Sequence, residues 1–261
     1  MNRLTTTFAH LKAENRTGFV TYIMAGDGET ADLLDQLPSA GADVIELGMP
    51  FTDPMADGPP IQGAALRALD NGMTLKGTLA LAKTFRANHP DTPLVLMGYA
   101  NPVHHMGYAA FAKAAADAGV DGLICVDLPP EEDTELREAL AAENISIIRL
   151  ATPTTNDDRL KAVAEGSSGF VYYVSTTGVT GMGKGAATDV AEAVKRVQTA
   201  TGLPVAVGFG VRTPEEAAEI ASGGADAVVV GSAIVSANHD GGTKTALELV
   251  RNISAAVRAA P

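Results

Sequence analysis

The chain holds a single cysteine, Cys125, which excludes an internal disulfide and suits a reducing compartment. Positive charge is scarce: 19 Lys and Arg stand against 31 Asp and Glu, for a formal net charge of -12. Such a surface offers no basic patch to phosphodiesters and repels an anionic membrane, so nucleic acid and membrane are poor partners. A small anion is still accommodated, because helix N-termini and glycine loops attract phosphate whatever the net charge. Long apolar runs are missing too. Nothing approaches the roughly 18 consecutive apolar residues of a membrane span, and residues 1–12 lack the apolar stretch of an export signal. A cytoplasmic protein is expected, with Cys125 read as a buried strand residue in the apolar run 122–126.

Short β-rich runs are what the chain does have: 19–24, 44–47, 94–97, 122–126, 146–150, 170–174, 205–207 and 227–230. They alternate with alanine-rich helical patterns such as 30–39, 108–118, 131–142, 189–201 and 214–222, the signature of βα units around a parallel sheet. An open doubly wound sheet would alternate in the same way. Eight units in 261 residues favour an α/β protein with a closed (β/α)8 TIM barrel, one domain over 1–261. Strands that are hydrophobic throughout agree, since a parallel sheet is covered on both faces. Residues 1–15 read as an extra N-terminal helix closing the bottom of the barrel, and 243–259 as the last outer helix. Gly41, Gly119 and Gly223 recur within Ala-Gly-Ala-Asp, Ala-Gly-Val-Asp and Gly-Gly-Ala-Asp, which reads as a helix C-cap feeding a strand.

Active sites of this fold gather at the C-terminal ends of the strands, with phosphate often held after strands seven and eight. Those strands end here in Gly208-Phe209-Gly210 and Gly231-Ser232, and the glycine-rich turn 178–183 follows strand six. Three such turns at adjacent strand ends point to a phosphate. Glu46 interrupts an apolar strand, where a carboxylate is costly without a partner. Two readings stand for it: a functional group at the barrel mouth, or a satisfied structural carboxylate in the core. Asp57 follows in the segment 50–60, too rich in Pro and Gly for helix and a candidate cover for a site. Asp53 in the same segment reads as the cap of its own turn.

Lysine is absent from every strand candidate, which disfavours Schiff-base chemistry. His104 and His105 are adjacent and point apart, His10, His89 and His239 read as surface residues, and no spacing resembles a metal site. Cofactor-free acid–base chemistry by carboxylates remains.

The run Glu46-Leu47-Gly48-Met49-Pro50-Phe51-Thr52-Asp53-Pro54-Met55-Ala56-Asp57-Gly58-Pro59 closely resembles the signature of the tryptophan synthase alpha subunit family. The likeness extends through Gly26-Asp27, Tyr99-Ala100-Asn101-Pro102, Asp127-Leu128-Pro129, Gly178-Val179-Thr180-Gly181, Gly208-Phe209-Gly210-Val211 and Gly231-Ser232-Ala233-Ile234. It implies retro-aldol cleavage of indole-3-glycerol phosphate to indole and glyceraldehyde 3-phosphate. By the same resemblance Glu46 is the acid–base residue, and Asp57 stabilises positive charge developing on the indole ring. Gly181, Gly210, Gly231 and Ser232 would hold the phosphate, with Phe209 lining that end. Tyr22, Ile61, Met97, Tyr99, Ile124 and Tyr172 would wall the indole pocket, a role compatible with ordinary barrel core. Thr180 would meet the catalytic aspartate on loop closure. Pro50, Asp53, Asn101 and Pro129 match positions near a beta subunit, which brings pyridoxal phosphate to an alpha-beta-beta-alpha heterotetramer. No cofactor or metal is implied in this chain. Departures are few: Gly28 stands where proline is common, Pro60 where threonine or valine is expected, and 181–185 is unusually rich in glycine. Two rivals remain: another phosphate-binding barrel enzyme, which would need a strand-end lysine or histidine, and a barrel that only regulates a beta subunit. Intact Glu46 and Asp57 argue against the second.

Overall fold

The computed structural model describes residues 2–175, 184–208 and 210–260, and the side chains of these except 184–189. The elements in chain order are α1 (Arg3–Ala13), β1 (Gly18–Met24), α2 (Thr30–Ala40), β2 (Val44–Gly48), α3 (Pro59–Asp70), α4 (Leu75–Asn88), β3 (Leu94–Gly98), α5 (Ala100–Met106), α6 (Tyr108–Asp117), β4 (Gly122–Cys125), α7 (Thr134–Ala142), β5 (Ser146–Ile147), β6 (Leu150–Ala151), α8 (Asp157–Ala164), β7 (Val171–Val174), α9 (Lys184–Thr201), β8 (Val205–Gly208), α10 (Pro214–Ser222), β9 (Ala227–Val230) and α11 (Ser232–Ala259). Helical returns keep the paired strands parallel, in the order β5-β4-β3-β2-β1-β9-β8-β7-β6.

The two ends of that order are pieces of one extended segment, 146–151. Between them the ladder continues, with Ile148 N donating to Leu123 O at 2.9 Å and Tyr172 N to Arg149 O at 3.0 Å. The sheet therefore closes on itself as the expected (β/α)8 TIM barrel, its fifth strand interrupted. The interruption falls at Arg149, which is 6% exposed and reaches into the helix layer. There it bonds Asp133 at 2.8 and 2.6 Å and the carbonyls of Ala162 and Val163 near the end of α8. A cation at a helix C-terminus and an anion ahead of α7 both suit the helix dipoles.

Strand residues divide by period two between an inner and an outer core. Phe19, Ile23, Ile45 and Leu47 pack outward against helix residues such as Leu33, Leu37 and Phe85. Val20, Val44, Val95, Ile124, Ile148 and Phe170 fill the barrel, and Leu4, Phe8 and Leu11 of α1 join them, so the extra N-terminal helix plugs the barrel as anticipated. Phe8 meets Phe170 at 5.5 Å between centroids.

The recurring Gly-X-Asp pattern has a second half that its glycine reading leaves out. The carboxylates of Asp43, Asp121 and Asp226 accept the backbone N–H of Phe19, Leu94 and Val205 at 2.9, 2.9 and 2.7 Å. Each aspartate N–H in turn donates to the carbonyl of the same residue, at 2.9, 2.8 and 3.0 Å. Every such pair lies one rung below the first registered pair of its two strands. The glycines with left-handed backbone are Gly41, Gly119 and Gly224, at φ 111°, 76° and 84°. In the third copy Gly224 takes that conformation, while Gly223 stays at φ -76° as the cap of α10.

Two boundaries differ from expectation. Helix α3 starts at Pro59, so the loop ends at Gly58; proline at the first helical position gives up an N–H that has no intrahelical partner there. Helix α11 combines the expected helix with a short one ahead of it, the two meeting at Gly242 (φ 72°, ψ -178°). Among the described residues no helix is long and apolar enough to cross a membrane.

Candidate active site

Alternation along β2 sends Ile45 and Leu47 outward and leaves Glu46 facing the barrel interior, in register with Tyr22 on one side and Val95 on the other. Its exposure is 0%, and neither carboxylate oxygen has a hydrogen-bond partner among the described residues. These neighbours do not provide a satisfied structural carboxylate. Burial pushes the group up to about 8, so Glu46 holds its proton at neutral pH.

Two tyrosines share this level. A Cβ at Gly48 would stand 2.2 Å from the Tyr22 hydroxyl, and one at Gly208 2.4 Å from the Tyr172 hydroxyl, so the two glycines make room for the phenols. Burial raises both phenols well above their usual range, and the nearby carboxylates of Asp57 and Glu46 raise them further. Among the remaining indole-pocket candidates, Ile61 and Met97 pack against the cluster of Tyr22, while Ile124 belongs to the barrel-core cluster against which Met97 and Tyr172 pack.

The segment after β2 roofs this layer. Phe51, Pro54 and Asp57 face Tyr22, Met97 and Tyr99 around a small cavity. Asp57 is half-buried, and burial raises its carboxyl while a hydrogen bond from Tyr99 opposes the rise. The Tyr99 hydroxyl donates to Asp57 Oδ2 at 3.0 Å and accepts from Ala56 N at 3.0 Å. Its ring stacks on Phe51 at 5.4 Å.

At the phosphate end, Gly210 adopts φ 78° after β8, and Gly231 caps α11 so that Ser232 opens the helix, presenting free amides beside β9. Gly181, Thr180 and Phe209 lie outside the described residues. On the rim, Asp53, Asn101 and Pro129 are exposed, whereas Pro50 is buried. Asp53 accepts the Thr52 hydroxyl at 2.5 Å. His10, His104, His105 and His239 are exposed, but His89 is half-buried, stacked on Phe85 at 4.7 Å and bonded to Asp35 at 2.9 Å. Cys125 is buried, its thiol pushed up to about 12, first by burial and then by Asp127. Among the described residues, no group of three or more His, Cys, Asp and Glu could hold a metal.

One ion pair escapes sequence reasoning. Arg67 forks onto both oxygens of Asp27 at 2.7 and 2.8 Å, tying the loop after β1 to α3, the helix that follows Asp57. Gly26-Asp27 is visible as a motif, but nothing local joins it to a residue 40 positions on. Gly28 has φ 65°, which proline cannot adopt, so its departure from the family pattern marks a differently built turn.

A family model described as tryptophan synthase alpha chain matches residues 8–259. A tryptophan synthase alpha chain of Caulobacter vibrioides (strain NA1000 / CB15N) is 60% identical over 237 residues, 90% of this chain and 86% of that one. One of Rhizorhabdus wittichii is 54% identical over 266 residues, covering 100% of this chain and 98% of the relative. Among solved structures, the tryptophan synthase alpha chain of Legionella pneumophila superposes with a TM-score of 0.90 at 36% identity, covering 98% of this chain and 97% of its own.

Proposed function

The chain belongs to the tryptophan synthase alpha chain family, lyases that cleave indole-3-glycerol phosphate to indole and glyceraldehyde 3-phosphate, and we propose that Glu46 performs both proton transfers of that cleavage here. The observation that carries this assignment is a fully buried carboxyl, without a hydrogen-bond partner among the described residues, that holds its proton at neutral pH at the level of Tyr22. Glu46 first gives its proton to indole C3, which leaves positive charge on the ring. As carboxylate it then takes the proton of the side-chain hydroxyl. The O–H electrons become the aldehyde C=O, the breaking carbon–carbon bond returns its pair to the ring, and Glu46 regains its proton. Asp57, half-buried at the cavity edge, stabilises the ring charge. The amides around Gly210, Gly231 and Ser232 anchor the phosphate, and Gly181 and Phe209 complete that end.

Indole then passes to a beta subunit that carries pyridoxal phosphate, in an alpha-beta-beta-alpha tetramer in the cytoplasm. The exposed Asp53, Asn101 and Pro129 are the surface we assign to that contact, with Pro50 shaping the loop from below.

Indole release from indole-3-glycerol phosphate, measured with and without a beta subunit, tests the assignment. Glu46→Gln should lose about 10²- to 10⁴-fold in kcat, and wild-type kcat/KM should fall as pH rises through about 8, where Glu46 loses its proton. Full activity in the variant sinks the role of Glu46. Wild-type protein silent even with a competent partner would instead leave a purely regulatory barrel.

A further inference from the structure

We propose that the Tyr99 hydroxyl is a latch that positions Asp57 over the pocket and thereby serves turnover more than substrate capture. The inference rests on Asp57 being the charge-stabilising carboxylate.

Among the described residues, Tyr99 makes the only polar tie between 51–57 and a strand end of the barrel. The other hydrogen bonds of the segment are local: the Thr52 hydroxyl to Asp53 Oδ2 at 2.5 Å, Asp57 N to Pro54 O at 3.1 Å, Met55 N to Asp53 O at 2.9 Å, and Gln62 Nε2 on the following helix to Asp57 O at 2.7 Å. Tyr99 engages the segment three times, at Phe51 by stacking, at Ala56 by accepting and at Asp57 by donating. The anchor is itself fixed, being 3% exposed and sitting beside Ala100, whose N–H donates to Asp127 Oδ1 at 2.8 Å. One oxygen that both accepts from the loop backbone and donates to the carboxylate sets the two in a single geometry. Charge on the ring develops only as C3 is protonated. A displaced carboxylate therefore costs transition-state stabilisation while phosphate anchoring persists.

The hydrogen bond from Tyr99 also holds the Asp57 carboxyl below the level that burial alone would set. Loss of the hydroxyl should let that group titrate higher.

Tyr99→Phe keeps the ring, its stack and the pocket wall. Its kcat should fall about tenfold with the KM for indole-3-glycerol phosphate within about twofold, and the acid limb of the kcat profile should move to higher pH. In an Asp57→Asn background the same substitution should change kcat by less than about twofold, because the latch has nothing left to position. Amide exchange at Ala56 should accelerate in Tyr99→Phe, a readout that needs no turnover. An equal loss of kcat in both backgrounds, a raised KM with kcat unchanged, or unaltered exchange at Ala56 overturns the latch. Failure of wild-type protein to release indole would count against the function proposed above, and the exchange measurement would still decide on the latch.

Discussion

Glu46 is legible in the sequence because an acid interrupts an apolar strand, and its environment makes it a stability statement as well as a chemical one. The usual carboxyl value is 4.5, against about 8 in the fold. The folded state thus binds more protons between those values, and the stabilisation is fully present below 4.5 and lost as pH rises through 8. Denaturant titrations at pH 5 and pH 9 should show wild type losing about 4 kcal/mol relative to Glu46→Gln over that range; a difference independent of pH would contradict the buried, proton-holding state. The space taken by Tyr22 makes a second prediction. Gly48→Ala forces the phenol aside and should cost about 1–3 kcal/mol of stability together with indole release, measured in parallel. Tyr99 and Arg67 were not legible as positioning groups, since their partners Asp57 and Asp27 lie 42 and 40 positions away.

Among the elements, boundaries follow local chemistry and partners do not. Thr213 caps α10 in a capping box with Glu216, Pro214 opens that helix, and both signals are readable from four residues. Pro59 carries the same kind of signal for α3, yet the prolines and glycines before it present it as more loop. The split of the fifth strand has no local cue, because Arg149 is accommodated by Asp133 and α8. The aspartates below the strands are the clearest case: the pattern reveals the turn, and only the neighbouring strand reveals why the fourth residue is acidic. Asp226→Ala strands the N–H of Val205 and the amide of Gln198, now held at 2.7 and 2.8 Å, and should destabilise by about 1.5–3 kcal/mol in urea unfolding. Asp226→Asn keeps an acceptor and should lose less than half of that.

Across the whole molecule, one end of the barrel is plugged by α1 and laced by those aspartates, while the other carries the loop, the cavity and the exposed rim. The class of fold follows from the count of βα units, whereas closure depends on the two hydrogen bonds that bridge 148 and 149, which no pattern announces. If the rim meets a beta subunit, Asn101→Arg and Pro129→Arg should each weaken the complex about tenfold or more by burying an unpaired charge; titration with the partner in an analytical ultracentrifuge reads this directly, and unchanged affinity in both would move the interface elsewhere. Strands covered on both faces give up the alternation that ordinarily tells one pairing offset from the next. Runs such as Ala227–Val230 would bury nearly as well one residue out of step. A carboxylate that fits the first amide of one particular neighbour marks the correct offset in a way that apolar side chains cannot, so the acid below each of these strands guards the barrel against slipped assembly.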